Sequence, residues 1–404
     1  MRLRIKDICD YVSRGTTPDY VDEGANKVMN QATFSKGWID ESNIRYTSKT
    51  NKGARIMKGD LLMASTGGGV LGKVFFFDDD DSFYADSHVT IMRNSKGANL
   101  MKYLYYYFYL RYDEINATMV KGSTNQTELQ RNYLLSYELD VPTLADQQRM
   151  VTYLDTKLSE IDHQVSLLTS KRDAYLRLKK SIINHAVTHG LDPNVKMKDS
   201  GIEWIGEVPE HWEVKRMKDI FFERKELSLT GEEDLLSVSE FYGVARRKDK
   251  MNSDEEFESR ADSLVGYKIC KAHDLVINIM LAWKTGLGIS DNDGIVSPAY
   301  AVYEGRNIAS HFYHYLLRSG MYVKEFKRHS KGIIDSRLRL YNDRFNNISA
   351  IYPPLPEQRA IAAYLDDKCA KIDTIVSNLD KQISRCGDLK RSLIDEVITG
   401  KRAV

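Results

Sequence analysis

One stretch of this chain occurs twice, at a constant interval. Pro142-Thr-Leu-Ala-Asp-Gln-Gln-Arg-Met-Val-Thr-Tyr-Leu-Asp155 returns 211 positions later as Pro353-Pro-Leu-Pro-Glu-Gln-Arg-Ala-Ile-Ala-Ala-Tyr-Leu-Asp366, and the match runs without a gap to Thr188 and Thr399. Two copies at this spacing make a duplicated half, not a solenoid. In the first copy Leu154, Leu158, Ile161, Val165 and Leu168 step by 4, 3, 4 and 3; in the second Leu365, Cys369, Ile372, Val376, Leu379, Ile383 and Cys386 keep the rhythm. That is an a/d helical seam, which asks for a partner helix. Each copy opens with a proline lead-in and a first-turn carboxylate, Asp146 or Glu357, which suits the helix dipole. Ala145 to Thr188 is 44 residues, about 66 Å of helix at 1.5 Å per residue. One small domain cannot bury that length, so the helix pairs with its duplicate, with another subunit, or with both. Both copies shorten a step, Tyr175 to Leu178 and Cys386 to Leu389, a shared stammer expected to overwind the pairing locally.

Around these helices the interval drifts. Lys6-Asp7-Ile8 matches Lys218-Asp219-Ile220 at 212, Asp60 matches Asp274 at 214, Asn99 matches Asn307 at 208, and Lys121-Gly122 matches Lys331-Gly332 at 210. A fixed frame therefore carries two diverged globular parts. The first reads as mixed α/β, with strands at 60–65, 73–77 and 88–92. A helix follows, from Met101, Leu104, Tyr105, Phe108, Tyr112 and Ile115 at helical spacing. Its run Tyr103 to Tyr109 is read as core packing ahead of base stacking. The domain expectation is 1–141, helix 142–188, a Gly/Pro-containing junction 189–209, then 210–352 and helix 353–401.

Net charge is +1 over 404 residues, which excludes a uniformly basic surface but not a local basic face. Cys9, Cys270, Cys369 and Cys386 stand far apart and read as incidental thiols of a reducing compartment, with no disulfide frame or metal site. With no signal-like N-terminus and no apolar run near twenty residues, a cytoplasmic chain is expected. Gly67-Gly-Gly-Val-Leu-Gly72-Lys73 fits a phosphate-loop pattern, but Val74 stands where a magnesium-binding Ser or Thr is needed, and a strand follows where a helix is needed. A glycine hairpin is expected, with its amides and Lys73 near a DNA backbone. Glu223-Arg-Lys225 lacks a suitably spaced acid for nuclease chemistry. Tyr352-Pro-Pro-Leu has the prolines of a methyltransferase site without its amide or aromatic.

Taken in order, these residues resemble the specificity subunit of type I restriction–modification enzymes. The resemblance spans the full length. It rests on Leu144-Ala-Asp-Gln-Gln and Leu355-Pro-Glu-Gln-Arg opening the long helices, on Met197-Lys-Asp-Ser-Gly-Ile-Glu-Trp-Ile-Gly-Glu-Val-Pro-Glu-His-Trp-Glu213, and on the ending Val397-Ile-Thr-Gly-Lys401. The first half begins at Met1 without a counterpart to Pro209-Glu-His-Trp212. The resemblance implies an α+β fold: two α/β target-recognition domains in pseudo-twofold arrangement, joined by two long antiparallel coiled-coil helices. Each domain would read one half of a bipartite double-stranded DNA site. The helices would set the spacing and dock two methyltransferase (modification) subunits, and restriction/translocase subunits would complete the complex. The chain would be non-catalytic and bind no cofactor itself, while the complex would use S-adenosylmethionine, ATP and Mg. Two other readings stay open: a coiled-coil interaction scaffold without sequence-specific DNA binding, and an enzyme acting alone.

Candidate DNA-binding residues follow from residue type, Lys and Arg for phosphates and Asn, Gln and Arg for base edges. In the first half they are Lys27, Asn30, Gln31, Ser65, Thr66, Lys73, Lys121, Ser123, Thr124, Asn125 and Gln126. In the second they are Arg246, Arg247, Lys248, Trp283, Lys284, Lys331, Arg337 and Arg339. The candidate helix seam and subunit interface is Leu154, Leu158, Ile161, Val165, Leu168, Leu365, Ile372, Val376, Leu379 and Ile383, with Leu154–Leu168 expected to meet Leu365–Cys386 antiparallel.

Overall fold

The computed structural model describes residues 1–95, 97–121, 127–247 and 263–404. The chain divides into two units, one of residues 1–168 and 381–404, the other of 169–380. Each unit contains a globular domain, the first part of the long helix that follows it, and the last part of the other long helix.

In the first unit four strands, β1 (Tyr11–Arg14), β2 (Leu61–Ala64), β3 (Val74–Phe76) and β4 (Val89–Arg93), pair antiparallel in the order β1-β4-β2-β3. The central strand β2 is apolar and buried at every position, so both of its faces are covered. Helix α1 (Ala98–Leu110) packs with this sheet. Tyr103, Tyr106, Tyr107 and Phe108 are buried and Tyr109 is exposed, so the aromatic run packs the core as its spacing predicts. The long helix α2 spans Leu144–His189.

The second unit repeats the plan with different residues. Strands β5 (Phe221–Glu223), β6 (Leu275–Asn278), β7 (Leu287–Ile289) and β8 (Tyr300–Gly305) form an antiparallel sheet in the order β5-β8-β6-β7. Helix α3 (Ser310–Leu317) follows, and the second long helix α4 spans Leu355–Ile398. The segment read as a plain junction carries more structure than that. Met197–Asp199 pairs with Glu207–Pro209, and Ile205, Val208 and Trp212 enter the core of this unit.

The turn before each central strand is the same. Asp60 accepts the Met57 N–H at 2.7 Å and Asp274 accepts the Lys271 N–H at 2.8 Å. Gly59 has φ 90° there, and His273 takes the same left-handed backbone at φ 73°. Both carboxylates are buried, so each needs a counter-charge. Asp60 receives Arg93 through bonds of 2.6 and 2.7 Å; Asp274 receives Arg224 through bonds of 2.7 and 3.1 Å. Glu304 follows Tyr303, the ladder partner of Leu275, and so stands where Arg93 stands in the first sheet. A like charge at that place leaves the neutralising arginine to come from the end of β5.

The long helices pair antiparallel within each unit. Asp162 bonds Lys390 in the first; Arg172 meets Asp380 at 3.4 Å and Lys179 meets Asp373 at 2.6 Å in the second. In all three pairs the residue numbers add to 552, so one register holds in both units. This corrects the expected seam partners. Leu154, Leu158 and Ile161 pack with Leu393, Ile394, Val397 and Ile398, while Leu365 packs with Ala186 and Val187. An antiparallel pair overlapping along its full length places the start of one helix against the end of the other. All ten seam residues are buried or half-buried. Leu178 and Leu389, the stammer positions, are instead 47% and 53% exposed: shortening the step turns both leucines out of the seam.

Candidate nucleic-acid interface

In each unit one short loop closes against the end of the central strand through an equivalent bond. The Leu129 N–H donates to the Ser65 carbonyl at 2.8 Å, and the Leu340 N–H donates to the Ile279 carbonyl at 2.9 Å. Ser65 directly follows β2 and Ile279 directly follows β6. The loops lie between antiparallel partners, Val120–Lys121 with Glu128–Leu129 and Lys331 with Arg339. Lys121 and Lys331 open them and are both exposed. A cation beside a rigid, anchored strand end is a geometry suited to meeting phosphates.

The other candidates separate by what their side chains already hold. Ser65 is fully buried, its hydroxyl bonded to that of Thr90, so its surface assignment is corrected: the β2 ladder turns it inward. Asn30 caps the helix Gln31–Phe34, accepting from Ala32 N–H at 2.8 Å and Thr33 N–H at 3.1 Å while its amide reaches the Asn43 carbonyl. Its bonding capacity goes to the fold, which corrects its placement among base readers. Gln31 is half-buried, and its Oε1 has no partner among the described residues. Lys27 is bonded to Asp81, and Thr66 to His88 Nδ1 at 2.6 Å. Lys73 is half-buried with its ammonium on the Ser35 carbonyl at 3.2 Å. Gly67, Gly69 and Gly72 take positive φ and the chain enters β3, the hairpin geometry and not a nucleotide cradle. Ser123, Thr124, Asn125, Gln126 and Lys248 lie outside the described residues.

In the second unit Arg246 stands 3.4 Å from Asp234 and Arg247 is half-buried. Trp283 donates its indole N–H to the Met280 carbonyl, and two ammonium groups approach its ring, Lys284 at 4.9 Å and Lys327 at 5.0 Å. Lys327 also bonds Asp335 at 2.9 Å, which joins the Trp283 turn to the 331–339 loop. Lys284 and Arg337 are exposed, and Arg339 donates to the Ser336 and Leu338 carbonyls. The structure thus gathers Trp283, Lys284, Lys331, Arg337 and Arg339 on connected turns of one domain.

What holds each globular domain to its helix was not singled out from sequence. Tyr106 donates to Asp155 at 2.6 Å with Lys102 on the same carboxylate at 2.8 Å. Tyr315 donates to Asp366 at 2.7 Å with His311 Nδ1 at 3.7 Å. Burial and the bond to a carboxylate push both phenols up. Tyr106 and Tyr315 differ by 209, so the bonds to the long helices set that interval here instead of 208. Gln147 and Gln358, 211 apart, are both buried and bond the Pro142 and Pro353 carbonyls; Gln358 also receives the Ala309 N–H at the start of α3.

Burial pushes the Cys9 and Cys270 thiols up to about 12, which makes both inert at neutral pH. Among the described residues no group of three or more His, Cys, Asp or Glu could hold a metal ion, and no helix is long and apolar enough to cross a membrane.

A family model described as the type I restriction modification DNA specificity domain matches residues 1–167 and again 209–385. The type I restriction enzyme MjaVIII specificity subunit of Methanocaldococcus jannaschii is 21% identical over 374 residues, 88% of this chain and 82% of that protein. The type I restriction enzyme StySPI specificity subunit of Salmonella potsdam is 22% identical over 272 residues, 65% of this chain and 57% of that one. A chain solved in a study of complex assembly and conformational transition of the type I R-M system has a TM-score of 0.70 at 13% identity, covering 98% of this chain and 97% of that chain. The HsdS subunit from Thermoanaerobacter tengcongensis has a TM-score of 0.50 at 13% identity, covering 100% and 97%.

Proposed function

Because the chain belongs to the type I restriction–modification DNA specificity family, we propose that its two globular domains each read one half of a bipartite duplex site. It is the DNA specificity subunit of such a system and is itself non-catalytic. In the proposal the paired helices set the distance between half-sites and dock two methyltransferase subunits, and restriction/translocase subunits join the complex. S-adenosylmethionine, ATP and Mg belong to those partners; the Gly67–Lys73 segment, which runs into a strand, does not fit a nucleotide.

The observation that carries this reading is the pair of equivalent anchors, Leu129 on Ser65 and Leu340 on Ile279, each following a segment that begins at an exposed lysine, Lys121 or Lys331. The anchor is retained while the loop sequences differ, as two readers of different sequence require. Two weak half-site contacts on a common frame gain affinity through effective concentration only when the spacing fits. The exposed Leu178 and Leu389, equivalent positions outside the seam, support a partner on both helices.

Methylome sequencing of a host carrying this chain with its methyltransferase partner tests the proposal. A split motif, two specified blocks around an unspecified gap, is expected. A single undivided motif would overturn the bipartite reading, and no motif would leave the chain an interaction scaffold. Binding to a duplex with that motif should fall steeply with salt through counterion release.

A further inference from the structure

One aromatic side chain of the second domain is displayed in a way that packing does not explain. Phe241 is 90% exposed. It sits at the tip of a hairpin whose strands, Leu236–Ser239 and Gly243–Arg246, are joined by the turn Glu240-Phe241-Tyr242. A tip residue of this kind is ordinarily mobile, yet this tip is clamped. The Arg318 guanidinium donates to the Glu240 and Phe241 carbonyls at 3.0 Å, and also to the Thr285 and Leu287 carbonyls at 2.7 and 2.6 Å. Thr285 returns a bond from its hydroxyl to the Glu240 carbonyl at 2.6 Å. It does so from left-handed backbone, φ 65°, which is strained for a β-branched residue. Such strain persists where surrounding structure enforces it, and it clusters at functional sites.

The clamp joins the Phe241 tip to the turn that carries Trp283 and Lys284, and through Lys327 and Asp335 that turn joins the loop opened by Lys331. A solvent-exposed phenyl ring on a clamped backbone thus stands on the same connected turns as Lys284, Lys331 and Arg337. Cations that meet phosphates and an apolar wedge that enters the stack are the two components of proteins that kink or unstack a duplex. We propose that Phe241 inserts against a base step within the half-site read by the second domain, with Arg318 as the positioning residue that holds the wedge. The inference rests on the DNA-reading function proposed above and adds a contact mode to it: part of the half-site's sequence preference comes from how easily one step unstacks.

The test uses the complex of the full chain with its methyltransferase partner, on duplexes carrying 2-aminopurine at successive positions of the half-site. The wild-type complex should raise fluorescence at one step. Phe241→Ala should abolish that rise and weaken binding roughly tenfold, the order expected for one lost stacking contact, with the salt slope unchanged because no phosphate contact is removed. Phe241→Trp should retain both signals. Thermal melting of Phe241→Ala should match wild type, since the ring is exposed. Unchanged fluorescence and affinity in Phe241→Ala would overturn the wedge alone. Loss of methyltransferase assembly with unaltered DNA unstacking would also overturn it, by making the ring a protein contact. A wild-type complex with no sequence-specific DNA binding would overturn this inference together with the proposed function.

Discussion

Asp155 and Asp366, 211 positions apart on the two long helices, each accept a tyrosine hydroxyl from the globular domain of their own unit, at 2.6 and 2.7 Å. The second neighbour of the carboxylate differs, Lys102 at 2.8 Å in one unit and His311 at 3.7 Å in the other. The tyrosine is therefore the shared element of the attachment. Tyr106→Phe and Tyr315→Phe should each lower stability by about 1.5–3 kcal/mol, the range for a hydrogen bond to a charged acceptor. Calorimetry should show a fall of roughly 3–12 °C in the melting of the affected unit. An unshifted transition would mean that the domain is held by apolar packing alone.

The buried carboxylates at the start of the two central strands offer a larger effect. Arg93→Met leaves Asp60 without its counter-charge, and Arg224→Met does the same to Asp274. Each should cost about 3–5 kcal/mol, as breaking a buried pair from one side does. Asp60→Asn combined with Arg93→Met should recover much of that loss in chemical denaturation. A double variant no more stable than Arg93→Met alone would show that the charge is not the cause.

His314 gives a pH dependence of defined sign. Its ring packs against Gly243 and Gly288, its Nδ1 accepts from the Ile289 N–H at 3.4 Å, and Arg318 and His311 are its titratable neighbours. Burial, and after it the nearness of Arg318 and His311, lowers its pKa from 6.5 to about 3. The unfolded chain takes up a proton below 6.5 that the folded chain refuses until about 3. Stability contributed by the neutral ring is complete above the upper value and is lost as pH falls, at about 1.4 kcal/mol per pH unit. His314→Gln should flatten the decline of melting temperature between pH 6.5 and 4; an identical slope in both proteins would refute this.

The constant register gives a precise deletion. Removing 167–173 together with 379–385 takes one heptad from each helix and preserves the pairing in which residue numbers add to 552. A heptad is about 10 Å of helix, or roughly three base pairs of duplex. If the helices set spacing as proposed, methylation mapping should show an altered gap between unaltered half-sites. An unchanged gap would refute the spacer role.

The helices were legible because period and repeat both report one face, and that face stayed buried. Their partner register was not legible, since a heptad pattern names a seam without saying which turn meets which; Lys179 with Asp373 and Lys390 with Asp162 decide it. Among the candidate DNA residues, type alone misplaced Ser65 and Asn30. A serine at a strand end and an asparagine before a helix look alike in composition whether they face water or satisfy the backbone. Phe241 and Arg318 escaped for the opposite reason. The ring sits in a turn without period, and the guanidinium that holds that turn's backbone is 77 positions away in sequence.

The paired lysine–aspartate bonds have a consequence for how this chain can vary. Asp162 with Lys390 and Asp373 with Lys179 are two images of one contact, since each residue is the 211-shifted copy of its counterpart. Such reciprocity is the mark of a self-complementary homodimer interface, here drawn into a single polypeptide. In a homodimer any substitution in a globular part appears twice, and both halves stay identical. Covalent fusion removes that constraint. Glu304 with Arg224 can replace the arrangement around Arg93 on one side while the other side keeps its own. The frame remains a dimer, and what it carries no longer has to be.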